Sequence, residues 1–165
     1  ALLRDGARVG DALYVSGTLG DAAGALAFLR GEWQPEADAA EYLLNRFNRP
    51  RARIDLGRDL LGQASAAIDI SDGLLADAGH IADASGVRLV IEPSLLPLSP
   101  ALSTHRSREQ VIRWALTGGD DYELCFTLPE DEIAPQGCTR IGHVEAGEGV
   151  DCGLAIDIPG GYQHF

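Results

Sequence analysis

Between Ala67 and Gly86 the sequence reads AIDISDGLLADAGHIADASG, and its apolar period changes part-way along. Up to Ser71 it alternates: Ile68 and Ile70 point to one side, Ala67 and Asp69 to the other, as in a strand. From Asp72 the spacing becomes helical, with Leu74, Ala78, Ile81 and Ser85 in register and Gly86 as a stop. A strand that feeds straight into a helix needs a fold in which helices pack on a sheet. The same stretch sets a second constraint. Asp69 and Asp72 sit inside an apolar run, where an unpartnered buried carboxylate would cost several kcal/mol or more. Either these groups reach solvent, or something positive meets them.

The rest of the chain repeats the alternation of strand and helix patterns. Asp11–Gly17 reads as a strand, and the helix after it has Asp21 as its expected N-cap and Gly31 just past its end. Glu36–Asn48 has helical spacing, with Ala40, Leu43, Leu44 and Phe47 on one face. IDLGRDLLGQ reads as a short helix, VRLVIEP as a strand, and Pro93, Pro97 and Pro100 mark a loop. REQVIRWALTGG reads as a helix and Tyr122–Leu128 as a strand; CTRIGHVEAG and LAIDIP supply two more strand patterns. Asp72 is placed to cap the helix it opens. The expectation is a single α/β domain over residues 1–165, a mixed sheet with packed helices.

At 165 residues and 45% hydrophobic content, the chain can bury one core. Its net charge of −12 argues against nucleic acid or an anionic membrane as a partner held by bulk charge. Every one of the 13 basic residues is Arg, which removes Lys-based phosphate loops and Schiff-base chemistry. The three cysteines, Cys125, Cys138 and Cys152, form no C-x-x-C pair, so neither a disulfide framework nor a zinc site is expected and a reducing cytoplasm fits. No run is long and apolar enough to span a membrane. The chain opens without Met and looks like part of a longer protein, so a site built here is expected to be incomplete.

Two stretches carry possible chemistry. The turn at Asp69, Ser71 and Asp72 aims backbone N–H groups and a helix dipole at one spot. Carboxylates beside such a spot suit a hard cation that bridges to phosphate oxygens. The competing reading is capping by Asp72 and a plain hydrogen bond by Asp69. TGGDDYELCF, Thr117–Phe126, places two glycines and two acids ahead of a strand. Gly118 and Gly119 permit a close approach, while Asp120 and Asp121 could accept hydrogen bonds from a ligand or hold a metal; an ordinary helix end and turn would look similar. SGTLGDAAG reads as a helix entry, with phosphate contact as a lesser reading. His80, His143 and His164 have no partner spacing and read as structural.

LLRDGARVGDALYVSGTLGD, AIDISDGLLADAGHIADASG, ALTGGDDYELCFTLP and the closing GYQHF, in this order, resemble the C-terminal half of the thiamine-monophosphate kinases. The S-D-G-L element is shared with the wider superfamily of aminoimidazole ribonucleotide synthetase and selenophosphate synthetase. The resemblance implies that ATP phosphorylates thiamine monophosphate to thiamine diphosphate in a cytoplasmic homodimer, with an N-terminal domain supplying the rest of the site. It implies Asp69 and Asp72 as Mg²⁺ ligands, Arg4 and Ser71 as ATP contacts, and Asp120 and Tyr162 as contacts to the thiamine substrate. The family usually has Glu where this chain has Asp120, one methylene shorter. The alternatives are another ATP-dependent member of the superfamily, or a binding fragment without catalysis. On the resemblance, a chain lacking the N-terminal half is expected to show no kinase activity alone.

Overall fold

The computed structural model describes residues 3–50 and 53–156. Among these residues six strands form one sheet: β1 (Ala12–Ser16), β2 (Ala66–Asp69), β3 (Arg88–Ile91), β4 (Leu124–Leu128), β5 (Cys138–Glu145) and β6 (Val150–Asp151). Their order is β2-β4-β1-β5-β3-β6, antiparallel throughout except for the parallel pair β3–β6. The sheet is therefore mixed, as expected.

Among the described residues six α-helices accompany it: α1 (Asp21–Leu29), α2 (Ala37–Asn48), α3 (Ile54–Leu60), α4 (Leu74–Ser85), α5 (Pro100–Ser103) and α6 (Arg108–Thr117). The main core lies between one sheet face and α4 with α6. It takes Leu13 and Val15 from β1, Ile68 and the following Ile70 from β2, and Leu74, Ala78 and Ile81 from α4. The alternation of β2 holds in three dimensions, because Ala67 joins Leu124, Phe126 and Leu128 on the opposite face, under Leu60 of α3. On that face Tyr14 pairs across the strands with Phe126 and stacks on it, ring centroids 5.6 Å apart. A third cluster joins Ala25, Leu43, Ala101, Leu102 and Val111 where α1, α2, α5 and α6 meet.

Several expectations change. The proline loop contains a 3₁₀ turn at Pro93–Leu95 and the short α5, each with Pro in its first turn, where the missing N–H costs no hydrogen bond. Strand β4 begins at Leu124 rather than Tyr122, because Tyr122 has φ 55°. The last strand forms at Val150–Asp151, upstream of LAIDIP; Leu154–Ile156 are not in a strand, and residues 157–159 lie outside the described residues. Gly86 does end α4, in the left-handed conformation that glycine adopts without penalty.

Candidate functional site

Strand β2 ends at Asp69, and α4 begins five residues later, at Leu74. Ile70 is fully buried and anchors the turn, while Asp69, Ser71 and Asp72 are exposed. Gly73 has φ 117°, and a Cβ there would lie 2.7 Å from the Thr117 carbonyl oxygen, so the turn passes tightly under the end of α6. Asp72 does not cap α4, since Gly73 holds the cap position and no side chain bonds there. Asp77 reaches back from the first turn instead. Its buried carboxylate accepts from the Ser71 N–H at 2.8 Å and the Asp72 N–H at 2.9 Å. Burial pushes the Asp77 pKa up, against the pull of these two N–H groups. With the backbone held by Asp77, the carboxylates of Asp69 and Asp72 are left free: among the described residues, neither accepts a hydrogen bond or pairs with a cation.

The second loop lies directly against the first. The Asp120 N–H donates to the Ser71 carbonyl at 2.9 Å, Tyr122 N–H to the Ile70 carbonyl at 3.1 Å, and Ile70 N–H to the Glu123 carbonyl at 2.8 Å. A Cβ on Gly119 would lie 2.7 Å from the Ser71 oxygen, which explains the glycine at that position. Asp120 and Tyr122 are the two non-glycine residues with positive φ among those described, at 63° and 55°. Such backbone costs on the order of 1–3 kcal/mol per residue and persists only where the surroundings enforce it. Asp120 is exposed at the tip of this strained segment.

Beneath the two loops lies a ladder of buried charge. Asp21 does not cap α1; it is the first helical residue, and its carboxylate accepts from Thr18 Oγ1, Ser99 Oγ and Arg46 Nε. The free N–H groups at that helix start belong to Asp121, which accepts from Gly20 N–H at 2.9 Å and Ala22 N–H at 3.3 Å. A carboxylate thus already fills the place where phosphate contact was considered. Glu123, 1% exposed, takes Ser16 Oγ at 2.7 Å, Arg53 Nε at 2.6 Å and Arg53 Nη2 at 2.9 Å, with Arg46 Nη2 at 3.2 Å.

Burial pushes the Asp121 pKa up to about 7, and the nearby Asp21 charge adds to the rise. A raised acid binds its proton more tightly in the folded chain than in the unfolded one. Its contribution to stability is therefore complete below the ordinary aspartate value of 3.8 and is lost as pH climbs to about 7. Asp121→Asn removes that titration. Relative to the parent chain, the variant's melting temperature should improve steadily between about pH 4 and pH 7, as read by thermal scans at several pH values. A difference that stays constant across this window rules out a titrating Asp121.

Arg4 is exposed and lines an open pocket of about 240 Å³ with Ala67, Ile68, Asp69 and Leu124. Asp72 lies on another side of the turn, where its carboxylate, that of Asp77 and a His80 ring nitrogen come within 4.8 Å of one another. Arg4 and Asp69 thus share one pocket, Ser71 and Asp72 follow Asp69 along the turn, and Asp120 is tied to that turn through its N–H to Ser71. Tyr162 lies outside the described residues. Sequence reasoning missed Asp77, Glu123, Arg46 and Arg53; the polar Asp77 among the apolar positions of α4 was the one local signal.

The free carboxylates suit a hard divalent cation, being oxygen donors with no competing partner. Among the described residues, no helix is long and apolar enough to cross a membrane.

Residues 8–154 match the family described as AIR synthase related protein, C-terminal domain. The chain belongs to this family. Thiamine-monophosphate kinase of Escherichia coli (strain K12) is 53% identical over 131 residues, covering 79% of this chain and 40% of that protein. The crystal structure of thiamine-monophosphate kinase from Stenotrophomonas maltophilia K279a superposes with a TM-score of 0.86 at 43% identity, covering 93% of this chain and 53% of that one. A structure of AaThiL complexed with AMPPCP and TMP gives 0.84 at 43% identity, covering 98% and 53%. The chain spans about half the length of the curated relatives it matches. This AIR synthase related domain therefore carries the likeness to thiamine-monophosphate kinases expected from its motifs.

Proposed function

We propose that this chain is the C-terminal domain of a cytoplasmic kinase that uses ATP to phosphorylate thiamine monophosphate. An N-terminal domain would complete the site, within a homodimer. The observation that carries the reading is the hydrogen bond from Asp120 N–H to the Ser71 carbonyl. It ties the expected acceptor loop to the expected nucleotide loop, in a chain similar to enzymes of that name.

In this reading Asp69 and Asp72 hold Mg²⁺, which supplies charge neutralisation to the ATP phosphates. Arg4 binds those phosphates through its planar guanidinium, and Ser71 contacts ATP. Asp120 receives the thiamine portion of the acceptor, and Tyr162 packs on its ring. A phosphate oxygen of thiamine monophosphate forms the new bond to the γ-phosphorus, the bond to the bridging oxygen breaks, and ADP leaves. The acceptor is already ionised near neutral pH, so the site needs no general base. A site without Lys but with several free carboxylates and an Arg fits that demand.

The test is ADP release by the natural chain that carries residues 1–165. Release that requires thiamine monophosphate, and yields thiamine diphosphate, supports the proposal. ATP hydrolysis that requires formylglycinamidine ribonucleotide or selenide instead assigns the chain to another branch of the superfamily.

A further inference from the structure

We infer that Glu123, gripped by Arg53 and Arg46, is a positioning residue that holds the Asp120–Tyr122 loop in its substrate-receiving shape, an inference that rests on the kinase reading for its substrate. The loop needs such a device. Asp120 and Tyr122 both sit in the left-handed region, and no local turn chemistry favours a tyrosine there. From one side the backbone is tied to Ile70 and Ser71. From below, the first residue past the strain is Glu123, whose carboxylate meets Ser16 and two guanidinium groups. Ser16 also accepts from the Leu124 N–H at 2.9 Å, so one hydroxyl fixes both the carboxylate and the start of β4. Gly17, at φ 58°, leaves room for this: a Cβ there would overlap the Glu123 carboxylate.

Stability alone does not account for the arrangement. Apolar residues of similar volume often replace a buried ion pair at no loss of stability. What they cannot supply is direction, and three donors converging on one carboxylate fix the strand start to within a hydrogen bond's tolerance. The loop that carries Asp120 ends there.

Two measurements on the natural chain test this, using Glu123→Gln, which keeps the size but not the charge, and Arg53→Gln, whose side chain is partly exposed and whose folding is therefore safer. The first is amide hydrogen exchange. Exchange at Asp120 and Tyr122 should speed up at least tenfold in both variants, while that of Phe126 in the middle of β4 holds steady; unchanged protection at Asp120 and Tyr122 overturns the inference whatever the enzyme's substrate. The second is kinetic. KM for thiamine monophosphate should rise tenfold or more with KM for ATP within twofold, Arg53→Lys, which keeps the charge but not the two-point grip, should recover only part of the loss seen in Arg53→Gln, and adding Glu123→Gln to Asp120→Asn should cost less than a further twofold. Losses that multiply in the double variant, or KM values that rise together for both substrates, make Glu123 a core residue and no more. A parent chain that lacks activity dependent on thiamine monophosphate contradicts the kinase reading, and the exchange data then still decide the positioning role.

Discussion

On the kinase reading, in the natural chain that carries residues 1–165, Asp69→Asn and Asp72→Asn should each cut Mg²⁺-dependent phosphoryl transfer by roughly a thousandfold and leave the fold intact. The magnitude follows from the several kcal/mol that a correctly held metal ion contributes to stabilising developing charge, at about 1.4 kcal/mol per factor of ten. The retained fold follows from the structure. Both side chains are exposed and make no hydrogen bond or ion pair among the described residues, so their replacement should change stability by no more than about 0.5 kcal/mol. The Mg²⁺ concentration needed for half-maximal rate should rise in both variants. Steady-state assays across a Mg²⁺ titration, paired with thermal unfolding, separate the outcomes. Full activity in both variants would leave the two carboxylates without a role in the reaction. A collapse of the fold would mean that they have structural partners after all.

The strand and helix succession could be read in advance because the apolar periods are strong where the core is deep. α4 shows this best: Leu74, Ala78 and Ile81, spaced for one helix face, are all fully buried against the sheet. β6 illustrates the opposite case. Two residues, Val150 and Asp151, become a strand only because β3 lies alongside, and a pattern of two residues has no period. LAIDIP has a better pattern but no such partner within Leu154–Ile156.

Helix starts were misassigned for a related reason. Asp21 and Asp72 occupy plausible capping positions, and local reasoning gave each the nearest free N–H groups. In the structure neither side chain caps; carboxylates from farther along the chain bind the backbone around each start, Asp121 at Gly20 and Ala22 and Asp77 at Ser71 and Asp72. For Asp72 this overturns the capping reading and leaves its carboxylate unoccupied, as the ligand reading requires. The glycine pair before Asp120 was legible as a close approach. What each approaches was not: Gly118 lies against the Trp114 carbonyl and Ala23, and Gly119 against the Ser71 carbonyl about fifty positions away in sequence.

Arg46→Ala should destabilise the fold by about 3–5 kcal/mol, the range for a buried ion pair that loses one partner. That corresponds to a fall in melting temperature of roughly 6–20 °C at about 2–4 °C per kcal/mol for a domain of this size. The side chain stands between two carboxylates, with Nε 3.1 Å from Asp21 and Nη2 3.2 Å from Glu123, and Nη2 also donates to the Thr18 carbonyl at 3.0 Å. Burial opposes its charge, yet the two acids raise its pKa overall, so the attraction outweighs the cost of leaving water. Glu123 would keep Arg53 after the substitution, but Asp21, completely buried, would keep only the hydroxyls of Thr18 and Ser99. The damage should therefore fall chiefly on Asp21. Asp21→Asn in the Arg46→Ala background then recovers part of the loss, since an amide needs no counter-charge. Chemical denaturation of the two single variants and the double variant measures this. A loss below about 1 kcal/mol for Arg46→Ala would place the pair in the weak class of solvent-screened surface bridges, and no recovery in the double variant would move the damage from Asp21 to Glu123.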